Sequence, residues 1–452
     1  MALFGTDGVR GLANGFLTAE LAVDLAIAAA HILGELGAFE GHRPRAIVGH
    51  DSRASGDFLE AAVVAGLASA GVDVFRVGVL PTPAIAYLVA DTGADLGVMI
   101  SASHNPMPDN GIKFFAKGGG KLDDALELAI ESRLGEPWTR PTGKAVGRVI
   151  NDESASERYL FHLLSSLTSN LVGLKLVVDC ANGASSRIAP KAYTRAGADV
   201  FAISHEPDGW NINENCGSTH LENLKRKVLE VGADLGIAHD GDADRCLAVD
   251  HEGNEVDGDH IMAILAADWQ SRGLLTNETV VGTVMSNLGF MKAMENLDIN
   301  VETTAVGDRY VIEKMLSDNH VLGGEQSGHI IMRHYANTGD GILTALHIMQ
   351  ALKNSEQSLK ELASVMEKYP QVLINVTDVA KENLATSEAI AGIISAKNQE
   401  LQSNGRILVR ASGTESLVRV MVEAQSTEIA EEIAEEIAAL VRSELSNGPS
   451  VT

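Results

Sequence analysis

The chain has 452 residues, 45% of them apolar, and a formal net charge of −26. That length exceeds what one hydrophobic core serves and asks for three or four domains. So acidic a surface repels polyanions, which excludes nucleic acid as a partner, and no run of about 18 uninterrupted apolar residues occurs, so no membrane span is expected.

From the amino terminus, Gly5-Thr6-Asp7-Gly8-Val9-Arg10-Gly11 reads as a loop whose Arg10 can bring charge to a phosphoryl group. Thr18 is placed to cap a helix over 19–36. This apolar stretch carries Asp24 and His31 and lacks a cationic leader, so it is not read as a signal peptide. Strands are predicted at 46–50, 72–77 and 96–100, with a helix over 58–70. The third of these runs into Ile100-Ser101-Ala102-Ser103-His104-Asn105-Pro106, closing on Asn110-Gly111-Ile112-Lys113. A serine that follows a buried strand and precedes His, Asn and Pro sits on a turn, where its hydroxyl is presented rather than packed. Lys113 is near enough in sequence to fold back beside it. By residue type alone, the same segment is also an ordinary turn with an Asn-Pro initiator.

After a Pro- and Gly-bearing connection at 137–147, strands are predicted at 174–179, 200–203 and 235–238, and a helix at 221–231. The last strand leads to Asp240-Gly241-Asp242-Ala243-Asp244-Arg245. Carboxylates at alternate positions of extended chain point to one side, which is costly unless a cation neutralises them. An oxygen-only donor set is hard and favours Mg²⁺ over zinc. An EF-hand is excluded, because Arg245 and His251 stand where its glycine and bidentate glutamate are required. A solvated acidic turn is the plain alternative.

A break rich in Asp, Gly and Asn spans 250–258, followed by a helix over 258–270 and a strand at 280–284. Gly323-Gly324-Glu325-Gln326-Ser327-Gly328-His329 then places a carboxylate and a hydroxyl among glycines that permit close approach to a ligand. Such a pair suits sugar hydroxyls, although alone the segment passes for a turn. Beyond Tyr369-Pro370 come strands at 372–376, 406–411 and 417–424 and helices at 387–401 and 427–445. Two strands without a crossover helix imply an antiparallel pair and an α+β unit. Between them Arg410-Ala411-Ser412-Gly413-Thr414, with Arg419 beyond, has the backbone donors, hydroxyls and guanidinium of a phosphate cradle.

Ala94-Asp95-Leu96-Gly97-Val98 and Ala233-Asp234-Leu235-Gly236-Ile237 form a faint repeat, and Val321-Leu322 enters its loop in the same way. Ligands gather at the carboxyl ends of parallel strands, so three such loops are expected to face one cleft. No complete GxxxxGK[ST] or GxGxxG occurs. Cys180, Cys216 and Cys246 are widely spaced, form no CxxC pair, and fit a reducing cytoplasm better than disulfides or zinc.

Taken together these loops resemble, in order and over almost the whole chain, the α-D-phosphohexomutase superfamily. The likeness extends to 4–11, Asn211-Ile212-Asn213, 216–220, Val306-Gly307-Asp308-Arg309-Tyr310 and 324–328. Gln326 resembles the branch that acts on glucosamine phosphates, where phosphomannomutase/phosphoglucomutase relatives tend to carry methionine. Ala243 departs from the glycine usual in the metal loop. The resemblance implies three similar α/β domains with mixed, mostly parallel sheets plus a C-terminal α+β domain, around a central cleft. The corresponding domains are 1–150, 151–252, 253–369 and 370–452.

The resemblance further implies exchange of phosphate between the 6- and 1-positions of glucosamine, on the route to cell-wall amino sugars. It makes Ser103 the phosphoserine and gives it to one Mg²⁺ per subunit with Asp240, Asp242 and Asp244. Glu325 and Ser327 then bind sugar hydroxyls, and Arg410, Ser412, Gly413, Thr414 and Arg419 the phosphate not being transferred. Arg10, Lys113 and Arg245 lie near the transferring group and His104 among the substrate-binding residues, with Lys113 first and His329 second as the proton-transfer residue. Glucosamine 1,6-bisphosphate is the implied intermediate and activator, and a homodimer the implied assembly. A glucose or mannose phosphate substrate, a metal-dependent phosphatase and a silent phosphosugar sensor stand as alternatives.

Overall fold

The computed structural model describes residues 3–5, 7–37, 39, 41–412 and 417–446. Its first compact unit is built on three sheets. The first sheet holds β1 (Val9–Leu12), β2 (Arg45–His50), β3 (Asp73–Val79), β4 (Leu96–Ile100), β5 (Asp109–Ala116) and β6 (Val149–Asn151), in the order β1-β5-β4-β2-β3-β6. The second holds β7 (Lys175–Asp179), β8 (Asp199–Ile203), β9 (Leu235–Ala238), β10 (Leu247–Asp250) and β11 (Glu255–Val256), ordered β11-β10-β9-β7-β8. The third holds β12 (Thr279–Thr283), β13 (Asn300–Thr304), β14 (Leu322–Gly324) and β15 (Ile330–Met332), ordered β13-β12-β14-β15.

One plan underlies all three. Two parallel strands flank a parallel first strand, and a fourth returns antiparallel beside the third: β3-β2-β4-β5, β8-β7-β9-β10 and β13-β12-β14-β15. The serine, aspartate and glutamate loops are the three equivalent connections from third to fourth strand.

The sequence repeat has a physical cause. A Cβ on Gly97 would lie 2.6 Å from Val89, on Gly236 2.7 Å from Val228, and on Gly323 2.8 Å from Met315. In each sheet the preceding helix presses on the third strand where only glycine fits. Asp95 and Asp234 also act alike, accepting the backbone N–H of Arg45 at 3.0 Å and of Lys175 at 2.8 Å at the start of the neighbouring strand.

Thr18 caps its helix, Ala19–Glu35, accepting from Leu21 N at 3.2 Å. The glycine-rich start is not all loop: β1 pairs antiparallel with β5, setting Arg10 opposite Gly111. Gly8 has φ +77°, and a Cβ there would stand 2.4 Å from the Ile112 carbonyl. Closeness of backbone, rather than strand-forming side chains, makes this pairing, and glycine hides it from the sequence. No helix among the described residues is long and apolar enough to cross a membrane, and all three cysteines are free and buried.

A second compact unit joins Ser286–Asp298 to the described part of 366–452. It holds β16 (Gln371–Thr377), β17 (Arg406–Ala411) and β18 (Leu417–Glu423), antiparallel in the order β16-β18-β17, backed by helices Glu388–Leu401 and Thr427–Glu444. Buried Glu423 ties the early helix Leu288–Asn296 to this sheet, accepting Leu288 N at 2.9 Å and Asn287 Nδ2 at 3.2 Å.

Candidate active site

Ser103 stands in the left-handed region, with φ +52°, just beyond β4 and almost wholly buried. Three residues past the end of β4, this geometry turns the side chain out of the sheet. The surroundings enforce it. Ser103 N donates to Ser101 Oγ at 2.9 Å, and Ser101 Oγ donates to Asp51 Oδ2 at 2.6 Å. Arg53, buried and paired with Asp51, donates to the carbonyls of Ser103 at 3.1 Å and Asn105 at 2.6 Å. Asn213 Nδ2 grips the same two carbonyls at 2.9 and 3.0 Å. Gly241 lets the aspartate loop close in, since a Cβ there would lie 2.5 Å from the Ser103 carbonyl.

The Ser103 hydroxyl donates to Asp240 Oδ2, with His104 Nδ1 3.2 Å away. Asp240, Asp242 and Asp244 are all buried, with donor oxygens mutually within 4.8 Å. Burial, then Asp244 and Asp242, push Asp240 well above the usual carboxylate range. Burial also opposes charge on Asp244, but His329, Lys113 and Arg245 hold that carboxyl low. Asp242 accepts Thr82 Oγ1 at 2.6 Å and Lys113 Nζ at 2.7 Å. Asp242 Oδ1 and Asp244 Oδ1 are buried without hydrogen-bond partners. Unserved oxygens on converging carboxylates, with no nitrogen or sulfur among them, fit a small hard divalent cation such as Mg²⁺.

Ala243 takes φ +55°, a conformation that costs an L-residue about 1–2 kcal/mol and that glycine would adopt freely. The carboxylates on either side still converge, so the methyl group is accommodated.

Lys113 lies in β5 opposite Met99, its ammonium 2.8 Å from Asp7 and 3.8 Å from Asp244 as well as bonded to Asp242. Burial opposes its charge, yet Asp242, Asp7 and Asp244 outweigh burial and raise its pKa. Arg10 pairs with Asp7. His104 is held neutral, its pKa lowered to about 4 by burial and then by Arg245 and Arg10. His329 has Nδ1 3.5 Å from Asp244 and Nε2 3.5 Å from Asp308. Burial and the Gly339 N–H, which donates to Nε2 at 3.1 Å, favour the neutral ring. The two carboxylates outweigh them and carry the pKa to about 9.

The glutamate loop joins the same cluster. Cys246 N donates to the Gly328 carbonyl at 3.0 Å, binding this loop to the aspartate loop. Glu325 Oε1 accepts Gly307 N at 3.0 Å, and the Ser327 hydroxyl is buried with no hydrogen-bond partner. Glu325 acts electrostatically on Arg245. Arg10, Ser103, His104, Lys113, Arg245, Glu325, Ser327 and His329 are thus assembled with the aspartates in the first unit.

In the second unit Arg410 and Arg419 face each other as register partners on β17 and β18. Like charges directly opposite on a sheet are unfavourable unless an anion joins them. Burial, then Arg419, lower the pKa of Arg410. Ser412 N donates to the Leu417 carbonyl at 2.9 Å. Gly413 and Thr414 lie outside the described residues.

Asp7, Asp51, Arg53, Thr82 and Asn213 do work that the sequence did not assign them. For Asp51 and Arg53 the signal was present: polar residues directly after an apolar strand, as in the three loops already singled out.

Four family models match in succession. They are Phosphoglucomutase/phosphomannomutase alpha/beta/alpha domain I at 1–138, domain II at 157–253, domain III at 257–369 and the C-terminal domain at 373–440. The chain is 60% identical over 448 residues to phosphoglucosamine mutase from Streptomyces griseus, covering 98% of this chain and 99% of the relative. It is 60% identical over 444 residues to the phosphoglucosamine mutase of Thermobifida fusca, with the same coverage. Among solved structures, a phosphoglucomutase/phosphomannomutase family protein from Burkholderia thailandensis superposes with a TM-score of 0.80 at 21% identity, over 100% of this chain and 98% of that one. A putative phosphomannomutase from Thermus thermophilus gives 0.78 at 24% identity, over 97% and 98%. At these identities the two structures speak for the fold.

Proposed function

Because the chain belongs to the phosphoglucosamine mutases of the phosphohexomutase superfamily, we propose that it interconverts glucosamine 6-phosphate and glucosamine 1-phosphate through a phosphoserine at Ser103. It is an isomerase acting on a sugar phosphate, and its family implies Mg²⁺ and a phosphoserine. The observation that carries the assignment to this site is the Ser103 hydroxyl donating into a buried aspartate triad beside a buried lysine.

Asp240, Asp242 and Asp244 would hold Mg²⁺, which offsets the charge that builds on the transferring phosphoryl group. Lys113 and Arg10 add fixed positive charge, and Arg245 lies beside Asp244, with its Nε 3.9 Å from the carboxylate. Glu325 and Ser327 bind sugar hydroxyls: Ser327 needs a partner, and Glu325 has one oxygen anchored to backbone. Arg410, Ser412, Gly413, Thr414 and Arg419 hold the phosphate that is not reacting.

A phosphoserine donates to one end of the sugar and must recover phosphate from the other. Glucosamine 1,6-bisphosphate is therefore the intermediate, and the ring turns between the two transfers. The four domains at 1–150, 151–252, 253–369 and 370–452 supply the serine, metal, sugar and phosphate loops. Cytoplasmic location and a homodimer belong to the same reading.

Parallel assays with glucosamine, glucose and mannose 6-phosphates test it. Glucosamine 6-phosphate should be preferred, dephosphorylated enzyme should be primed by the 1,6-bisphosphate, and no phosphate should be released. Net phosphate release without priming would replace the mutase reading with a phosphatase.

Lys113→Arg tests the proton-transfer role. A guanidinium keeps the charge beside Asp7 and Asp242 but does not give up a proton. Turnover is expected to fall by about 10²-fold or more if Lys113 moves the proton. Near-normal turnover would make the lysine a charge alone and pass the role to His329. Arg410→Ala or Arg419→Ala should each cost about 1.5–3 kcal/mol in kcat/KM, alike in both directions, since a phosphate grip serves either ring orientation. Ser103 should still be phosphorylated in both variants.

A further inference from the structure

β13 carries Glu302, the helix Asp308–Ser317 ends at Asp318, and the chain then turns through His320 into β14. Donor atoms of Glu302, Asp318 and His320 lie mutually within 4.8 Å. His320 is only 4% exposed, and neither of its ring nitrogens has a hydrogen-bond partner. A buried imidazole so placed has lost its bonds to water and gained none from protein. Its Nε2 lies 3.7 Å from Glu302 Oε1, close to the separation of two donors that share one ion at about 2.1 Å.

Lys314 marks where the carboxylates converge. Its Nζ is 2.5 Å from Glu302 Oε2 and 2.7 Å from Asp318 Oδ2, so a cation already sits between them. That ammonium leaves the imidazole unserved, and it hangs on a flexible stem about one-third exposed, free to swing into solvent.

We propose that Glu302, Asp318 and His320 form a site for a divalent transition-metal ion of the zinc type, with Lys314 as its displaceable stand-in. An imidazole beside two carboxylates selects zinc, cobalt or nickel over magnesium. The aspartate triad, all oxygen, selects the reverse. Binding would tie the edge strand β13 and the end of the helix Asp308–Ser317 to β14, the strand that leads into the Glu325 loop. The ion is structural: it touches neither Ser103 nor the triad.

Zn²⁺ is titrated by calorimetry and by thermal unfolding into the full-length protein, with Mg²⁺ in large excess to fill the triad. One Zn²⁺ per chain is expected to bind, with a rise in Tm, as for any ligand that prefers the folded state. His320→Gln keeps size and polarity and should weaken binding by at least about tenfold, leaving Mg²⁺-supported turnover unchanged. Lys314→Ala should tighten binding severalfold, because no ammonium need be displaced. Glu302→Gln, on the edge strand, repeats the test if His320→Gln does not fold. The proposal is overturned if Zn²⁺ binds these variants as it binds the parent, or if excess Mg²⁺ removes all Zn²⁺ binding.

Discussion

Asp242→Ala is expected to lower turnover by about 10³-fold or more and to remove its dependence on Mg²⁺, while Tm moves by only a few degrees. The activity loss follows from the charge balance at the site. A phosphoserine carries about −1.5 to −2 and a phosphosugar brings as much again. On the proposed function, a metal left with two carboxylates in place of three would no longer offset that charge in a fixed position, and several kcal/mol of transition-state stabilisation would go with it.

The small stability change follows from opposing terms. Thr82 and Lys113 lose a bond to Asp242, but Lys113 keeps Asp7 at 2.8 Å. Repulsion also falls, because Asp242 is among the charges that push Asp240 well above the carboxylate range. Turnover at saturating Mg²⁺ and thermal unfolding on the same sample separate the two effects. Full turnover of the parent enzyme in excess chelator would show that the triad holds no catalytic metal.

What the sequence made legible was the set of places where apolar strands stop. Leu96–Ile100 and Leu235–Ala238 have the bounds expected of them, because a run of buried aliphatic residues ending in polar ones leaves little freedom. Arg406–Ala411 also has its expected bounds, although only Ile407 in it is buried. The repeated Ala-Asp-Leu-Gly was a sound signal for equivalent loops. Its glycine lets a helix approach and its aspartate fixes the neighbouring strand, so both are required wherever the same packing recurs.

The returning strands β5, β10 and β15 were not foreseen. β5 opens on Asp109, Asn110 and Gly111 and carries Lys113, whose fit depends on the opposite strand rather than on propensity, while β10 and β15 are only 4 and 3 residues long, too short to show a pattern. The hold of Arg53 on the Ser103 carbonyl was equally hidden, since it joins residues fifty apart in sequence. The helix Leu288–Asn296 gave no hint that it packs with the described part of 366–452. Its link is buried Glu423, a carboxylate near the end of the last strand, where residue type alone gives no reason to expect burial.

Ser103→Ala is expected to remove a species heavier by one phosphoryl group from the intact-mass spectrum and to lower turnover by about 10³-fold or more. The loop should survive the change. Its left-handed turn is held through the Ser103 and Asn105 carbonyls by Arg53 and Asn213, and none of those bonds involves the serine hydroxyl. Asp240 loses the hydroxyl but keeps the Arg245 N–H at 3.2 Å. Ser101 lies two residues away and looks from sequence like a substitute acceptor, but it is already committed. Its hydroxyl donates to Asp51 and accepts the Ser103 N–H, so freeing it breaks the network that shapes the loop. No residual phosphorylation at Ser101 is therefore expected. Phosphopeptide mapping after incubation with the 1,6-bisphosphate decides the matter: label at Ser103 alone in the parent, and none in the variant, is the predicted result. Label that persists at another residue, with turnover intact, would place the phosphoryl carrier elsewhere.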